Sequence, residues 1–488
     1  MMSVWRWKGG IGYRSLLVSL LMLASVATSW AQTRNIGDSR ELFVDRYIID
    51  SLEGVELRLH EPKREGVAIA FDKPWEGRFS AYPTVIKDGD LYRMYYRGLP
   101  RTGEEAIAVT CYAESKDGIH WTKPDLGIYE VGGSKNNNVT LAIHDKYSRS
   151  FSPFLDTRPG VPDSERFKAI TGVEGKGLAA FVSSDGIHWK LMQEEFIFTQ
   201  GLFDSHNVAF WSESEGQYVC YFRTWTGEGF SGFRTISRTT SKDFVNWTDG
   251  VAMDFGNTPM EHLYTNGTQP YFRAPHIYVA LAKRFFPKKA ALSGSVSEDL
   301  VDNPRYAIAS SDAIFMSSRG GNRYDRSFME AFIRPGDSLE DWVARDNTPA
   351  LGIAEGDGRR MYLYRMSHYA QDSAHLSRYS IRLDGFVSAR APYEGGELLT
   401  KPFTFDGEAL EINYESSAAG ELRFELQRED GTPIPGFELE ECDPIFGNEI
   451  ERLVRWRGDS NVSELAGETI RIRASLRDAD WYSFRFRD

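Results

Sequence analysis

Four short segments of the chain read as copies of one turn. Ser115-Lys-Asp117-Gly118-Ile-His-Trp121 matches Ser183-Ser-Asp185-Gly186-Ile-His-Trp189 at every position but the second. Ser241-Lys-Asp243-Phe-Val-Asn-Trp247 keeps the Ser, Asp and Trp at the same spacing, and Ser318-Arg-Gly320-Gly321-Asn-Arg-Tyr324 is a degenerate fourth copy. Successive copies lie 68, 58 and 77 residues apart, a spacing that suits one four-stranded unit with irregular loops. Self-similarity at such a period predicts a β-propeller, in which each blade buries a face against its neighbours. In such a box Ser and Asp cap backbone amides, Gly takes a left-handed conformation and the aromatic ring enters the space between blades. The boxes report architecture, not chemistry.

Between residue 41 and about residue 391 the apolar period is two, in short runs broken by Gly, Asp, Asn and Pro, and no long stretch has the period of an amphipathic helix. The chain is therefore read as all-β. Five strands open blades, at residues 80–86, 150–156, 206–211, 266–273 and 347–353, so five blades are expected over residues 40–392. Glu41-Leu-Phe-Val-Asp45 is expected to close the ring by adding a strand to the last blade, which removes an exposed edge. The runs at 55–59 and 283–301 are harder to place and keep a six-bladed count open. From about residue 395 to 488 the boxes stop and hairpin-like pairs take over (409–414, 421–426, 469–474 and 481–486), which fits a C-terminal β-sandwich of roughly eight short strands.

Arg6, Lys8 and Arg14 precede an apolar run over residues 16–28, followed by Ser29-Trp30-Ala31. That pattern is read as a signal peptide over residues 1–31 cleaved after Ala31, with an uncleaved anchor as the alternative. No Cys follows the run to take a lipid, and no later stretch has the roughly 20 apolar residues of a membrane helix. The expectation is a secreted or periplasmic protein of about 455 residues with no membrane partner. A net charge of -13 without a long basic run argues against nucleic acid as a partner. Cys111, Cys220 and Cys442 form no disulfide framework, and no zinc spacing is present. No cofactor or metal is expected, beyond the structural Ca²⁺ that an axial channel can hold.

Tyr82-Pro83-Thr84-Val85, followed by Lys87-Asp88-Gly89-Asp90-Leu-Tyr92-Arg-Met-Tyr95-Tyr96, resembles a blade of the five-bladed propeller glycosidases of glycoside hydrolase families 32 and 43. The boxes and the trailing sandwich also resemble the fructosidase-like group. The early Leu-Phe-Val-Asp and late Arg-Leu-Asp-Gly-Phe further resemble a group of secreted bacterial proteins common in planctomycetes. The resemblance implies a glycoside hydrolase acting on a poly- or oligosaccharide. In those enzymes an Asp sits near the start of blade one, where this chain reads Ser80-Ala81-Tyr82-Pro83, and the Trp-Met-Asn-Asp-Pro and Arg-Asp-Pro motifs are absent. No catalytic residue transfers by motif.

Glycosidases use two carboxyl groups, about 5 Å apart for retention and up to about 9 Å for inversion. Acids beside the opening strands are therefore the candidates: Asp204 before blade three, Glu261 before blade four, Glu76 before blade one, and Glu330 inside the apolar run of residues 328–333. A buried Glu330 would need a partner or a raised pKa, with Arg326 or Arg334 as a structural partner. His206 is a candidate to orient or protonate a group. Trp75, Tyr82, Tyr264 and Asn266 are candidate substrate contacts, as are Arg97, Arg149, Arg223 and Arg273, whose guanidinium groups suit a carboxylated or sulfated sugar or, alternatively, salt bridges between blades. Three other readings stay open. A non-catalytic carbohydrate-binding propeller is one, and a sialidase-like enzyme with a Tyr nucleophile is another. The third is a lyase using Tyr264 and His262.

Overall fold

The computed structural model describes residues 34–102, 106–292, 296 and 299–488. The expected signal segment and its cleavage point lie outside the described residues. Five small sheets form a five-bladed propeller. Blade one holds Ala81–Asp88, Leu91–Gly98, Val109–Ser115 and Val139–Leu141. Blade two holds Ser152–Leu155, Phe167–Val173, Gly177–Ser183 and Lys190–Leu191, and blade three holds Val208–Ser212, Gln217–Trp225, Arg234–Ser241 and Val251–Ala252. In blade four the innermost position is shared by His262–Thr265 and Thr268–Tyr271, both paired with Ala274–Phe286, and Ser310–Ser318 lies outside. Blade five runs through Thr348–Pro349, Ala354–Glu355, Arg360–Ser367 and His375–Arg382. The five expected opening strands are the five innermost ones.

Ring closure differs from expectation. The outer strand of blade five is Lys63–Ala70, antiparallel to His375–Arg382, whereas Glu41–Leu42 pairs with Phe484 and Ser483 near the C-terminus. The reason lies in burial. Glu41 is enclosed against Arg319 and His276, and Phe43 and Val44 join the C-terminal apolar core, while Lys63–Ala70 is a mostly exposed edge with no alternating apolar signal. Residues 55–59 are accounted for in the same way, since Glu56–Leu59 pairs with Val387–Ala391.

The C-terminal unit is one hydrogen-bonded network of ten strands, four of them from residues 34–59. Strand pairing thus places both the start and the end of the described chain here, and propeller pairing spans residues 63–382. The anticipated hairpins are instead two long strands, Ala409–Arg428 and Ile470–Arg487, antiparallel along their length with an irregularity between Ser416 and Glu421. Phe403, Phe405, Leu410, Phe424, Trp481 and Phe484 are buried in this unit and share a core with Tyr271, Ile277 and Phe315 of blade four. A polar seam crosses the same contact, with Tyr271 donating to Asp384 and Arg40 paired with Glu411 and Asp384.

The boxes are staples between blades. Ser183 Oγ accepts from the amides of Asp185 and Gly186, and Asp185 Oδ1 accepts from Ile187 and His188 at 2.8 Å each. The Gly186 carbonyl then accepts from Tyr95 of blade one, and the Trp189 ring packs edge-on to Tyr95. The first box does the same to Tyr364 of blade five. In the third, Phe244 occupies the left-handed slot at φ 69° and packs on Phe154 of blade two. Asp185→Ala removes the acceptor for two amides and is expected to cost about 1–2 kcal/mol, measured as a shift of the denaturant midpoint. Asp185→Asn, which keeps one oxygen, should lose less.

Candidate active site

The innermost strands enter the axial channel from one end, and that mouth is where the chain's unusual features meet. Among the described residues, six of the ten non-glycine residues with positive φ sit at or beside these entries: Tyr82, Phe203, Arg345, Asn347, His368 and Ala370. Tyr82 stands at a register shift where blade one's inner strand begins. Backbone held in this region is strained and collects at working sites. Several buried polar atoms there also lack hydrogen-bond partners, among them Asp204 Oδ1, Arg223 Nε, Arg234 Nε and Asn347 Oδ1. Such atoms are costly and mark places where a water or ligand completes the network.

Tyr264, at the start of blade four, lies at the centre. The guanidinium carbons of Arg223, Arg234 and Arg345 lie 4.5, 5.3 and 6.0 Å from its ring centroid, and Lys283 Nζ lies at 4.9 Å. Burial alone would push its hydroxyl pKa up, but Arg345, Arg223 and Arg234 outweigh burial and bring it below the usual phenol value. Lys283 is fully buried, donates to Thr348 Oγ1 at 3.0 Å, and is pushed well below an ordinary amine by burial and the three arginines, against the opposing pull of Asp346. Asp346 is itself raised to about 7 by burial, although Arg365 and the amides of Asn347 and His368 work against the shift.

Asp204 is half-buried beside this group. Arg223 donates to its Oδ2 at 2.9 Å and also to the Tyr264 carbonyl, so one guanidinium ties the acid to the tyrosine strand. Tyr82 stacks near His206 and lies under Arg97, whose guanidinium donates to the Phe79 carbonyl. Asn266 is buried, turning the strand by accepting from Thr268 N. Arg223, Tyr264, Tyr82, Arg97 and Asp204 thus lie close together at this mouth.

The other candidates go elsewhere. Glu76 is fully enclosed and saturated, accepting from Tyr96, Lys123 and the Lys73 amide. Glu261 is ion-paired to Arg284 and Arg326 within blade four. Glu330 is exposed, not buried, and the arginines expected to hold it pair with Glu261 and Glu61 instead. His206 is buried and held down to about 3, so it stays neutral and donates no charge-borne proton near neutrality. Trp75 is anchored to Asn138, Arg149 pairs with Asp145 on the surface, and Arg273 reaches Glu451 of the C-terminal unit.

Arg234, Arg345 and Lys283 escaped the sequence reading. Lys283 did leave a trace, as the first charge after the apolar run Val279-Ala280-Leu281-Ala282. Over the mouth hangs the hairpin between Trp225 and Arg234, where Phe230 is 51% exposed and edge-on to Trp225, and Phe233 packs on His262. His262 Nδ1 accepts from the Arg234 amide, which leaves the ring proton on Nε2. The far end of the channel is a different environment, a cavity of about 460 Å³ lined by Phe154, Trp211, Phe272, Leu351 and other mainly apolar groups. The titratable chemistry is gathered at the mouth. Among the described residues no group of three or more His, Cys, Asp or Glu is placed to hold a metal, and no helix is long and apolar enough to cross a membrane.

No protein-family model matches the chain. Two uncharacterized proteins of Mycobacterium tuberculosis are 43% identical over 60 residues, 12% of this chain, and the match spans 20% of their length. Among solved structures, a family 43 arabinoxylan arabinofuranohydrolase from Bacillus subtilis is 11% identical at a TM-score of 0.41, over 86% of this chain and 98% of that one. An N-acetylgalactosamine deacetylase from F. plautii is 11% identical at 0.44, over 67% and 96%. A glycoside hydrolase from the family 130 of mannoside phosphorylases is 16% identical at 0.41, over 66% and 94%.

Proposed function

We propose that the protein is a carbohydrate-active hydrolase that cleaves a glycosidic bond at the mouth of the propeller. The observation that carries this reading is the Asp204–Arg223–Tyr264 unit: an acid and a phenol of opposite task, joined by one guanidinium where the inner strands begin. Asp204, as a carboxylate, accepts the proton of a water attacking the anomeric carbon. Tyr264, acidified by its arginines, supplies a proton to the leaving oxygen. This differs from the carboxylate pair that sequence reasoning expected, because Glu76, Glu261 and Glu330 are each committed or displaced.

The displacement of the other expected acids from Asp204 favours one alternative, β-elimination from a uronate with Tyr264 as the proton carrier. The purified protein would be incubated with neutral, uronic and sulfated polysaccharides, following reducing ends and the ultraviolet absorbance of unsaturated uronate. Reducing ends without that absorbance support hydrolysis, and both together identify elimination. Neither signal, with retention on a polysaccharide gel, would replace catalysis with binding.

Phe230 is positioned as a platform for the apolar face of a sugar ring. Phe230→Ala is expected to raise KM about tenfold, equivalent to about 1.4 kcal/mol, and to leave kcat nearly unchanged. A fall in kcat at constant KM would remove the hairpin from substrate binding.

A further inference from the structure

We propose that Arg234 and Arg345 bind an anionic substituent, a carboxylate or sulfate ester, of the sugar held at the mouth; this rests on the reading of the mouth as the substrate site. Three guanidinium groups and a buried amine crowd this entrance on a chain whose net charge is -13. Arg223 already has a carboxylate in Asp204. Among the described residues Arg234 and Arg345 have none within ion-pair distance, although the chain forms ion pairs through most of its blades.

Both guanidinium groups are instead held by aromatic faces. Arg234 lies 4.3 Å from the Trp225 ring centroid, 5.2 Å from Phe285 and 5.3 Å from Tyr264. Arg345 lies 5.6 Å from Tyr306 and is carried on left-handed backbone at φ 68°. Ring faces fix a guanidinium plane and strip its water without neutralising it. The Arg234 Nε is buried with no acceptor, a donor left over inside the site. An oxyanion supplies what is missing: negative charge, and acceptor oxygens that match the guanidinium fork. A neutral hydroxyl supplies the second and not the first. Lys283 lies deeper in the site, on the same Tyr264 ring.

The test is calorimetric titration of the intact protein with free monosaccharides, which hold no glycosidic bond, so turnover does not intrude. Glucuronate and galacturonate form one arm, galactose 6-sulfate the second, and glucose and galactose the neutral control. At least one anionic arm is expected to bind tenfold or more tighter than its neutral counterpart, with affinity falling as salt rises. The tighter arm names the substituent. Arg234→Met and Arg345→Met, which keep an apolar stem on the rings, are each expected to weaken that binding tenfold or more, with thermal unfolding checked in parallel. Equal binding of neutral and anionic sugars overturns the proposal, as does unchanged anion binding in both folded variants. The two readings fail separately. Anion binding without bond cleavage leaves the site and removes the hydrolase, whereas cleavage confined to neutral polysaccharides does the reverse.

Discussion

Asp204→Asn should lower kcat on any cleaved polysaccharide by about 10²–10⁴-fold, the range for losing one positioned proton-transfer group. Asparagine has nearly the shape of aspartate and can still accept from Arg223 Nη1, so the arginine remains oriented over Tyr264. What it loses is the ability to take a proton from water. Tyr264→Phe should give a loss of the same order for the opposite reason, the removal of the proton donor, and the double variant should be little worse than either alone, because the two residues act on one bond. The pH profile separates the roles. Tyr264 must be protonated to donate, and its pKa lies below that of an ordinary phenol, so activity should decline on the alkaline side before pH reaches about 10. Asp204→Asn should keep that alkaline limb at reduced height. Full activity in Asp204→Asn, with unfolding unchanged, would remove this acid from the chemistry.

How far this site was legible in the sequence depends on the range of each signal. The boxes announced themselves because Ser-x-Asp capping is local: the whole turn, from Ser183 Oγ to the His188 amide, is built within six residues. The inner strands were legible because they alternate or are apolar throughout. Lys63–Ala70 was not, because an exposed edge strand has no core face to write into its pattern. Asp204, Arg223 and Tyr264 could be picked out since Asp204 precedes an inner strand, Tyr264 lies in one and Arg223 lies in the strand beside one. Arg345 could not, as its role comes from Tyr264 and Tyr306, which lie far from it in sequence. Glu330 misled for a related reason. Its apolar neighbours Phe328 and Phe332 do point inward, but the segment is a loop, and the acid between them turns to solvent. Pairing is likewise a long-range property: Glu76 found Lys123, and Glu261 found Arg326, through contacts no local window contains.

The largest stability effect is expected from a single methyl group at Gly352. Where blade five meets blade one at the axis, Leu351 N donates to Pro83 O at 2.9 Å and Val85 N donates to Leu351 O at 2.7 Å, so the first and last inner strands are tied backbone to backbone. Gly352 follows directly, at φ 105°, and a Cβ there would lie 1.9 Å from the Val85 carbonyl oxygen. Neither partner is a flexible side chain. Gly352→Ala must therefore push two inner strands apart and adopt a backbone conformation that L-residues disfavour. A loss of about 4 kcal/mol or more is expected, read from denaturant midpoints or as failure to accumulate folded protein. Gly358→Ala isolates the conformational part, because Gly358 has φ 81° and a methyl group added to it would meet nothing within 4 Å. It should cost only about 1 kcal/mol. Equal losses in the two variants would mean that the ring is not held by this backbone contact. A much larger loss at Gly352 would place the decisive closure at the axis, beside Thr84 and Val85 of the blade-one strand that begins near Tyr82 at the mouth, and would tie the geometry of the site to the integrity of the ring.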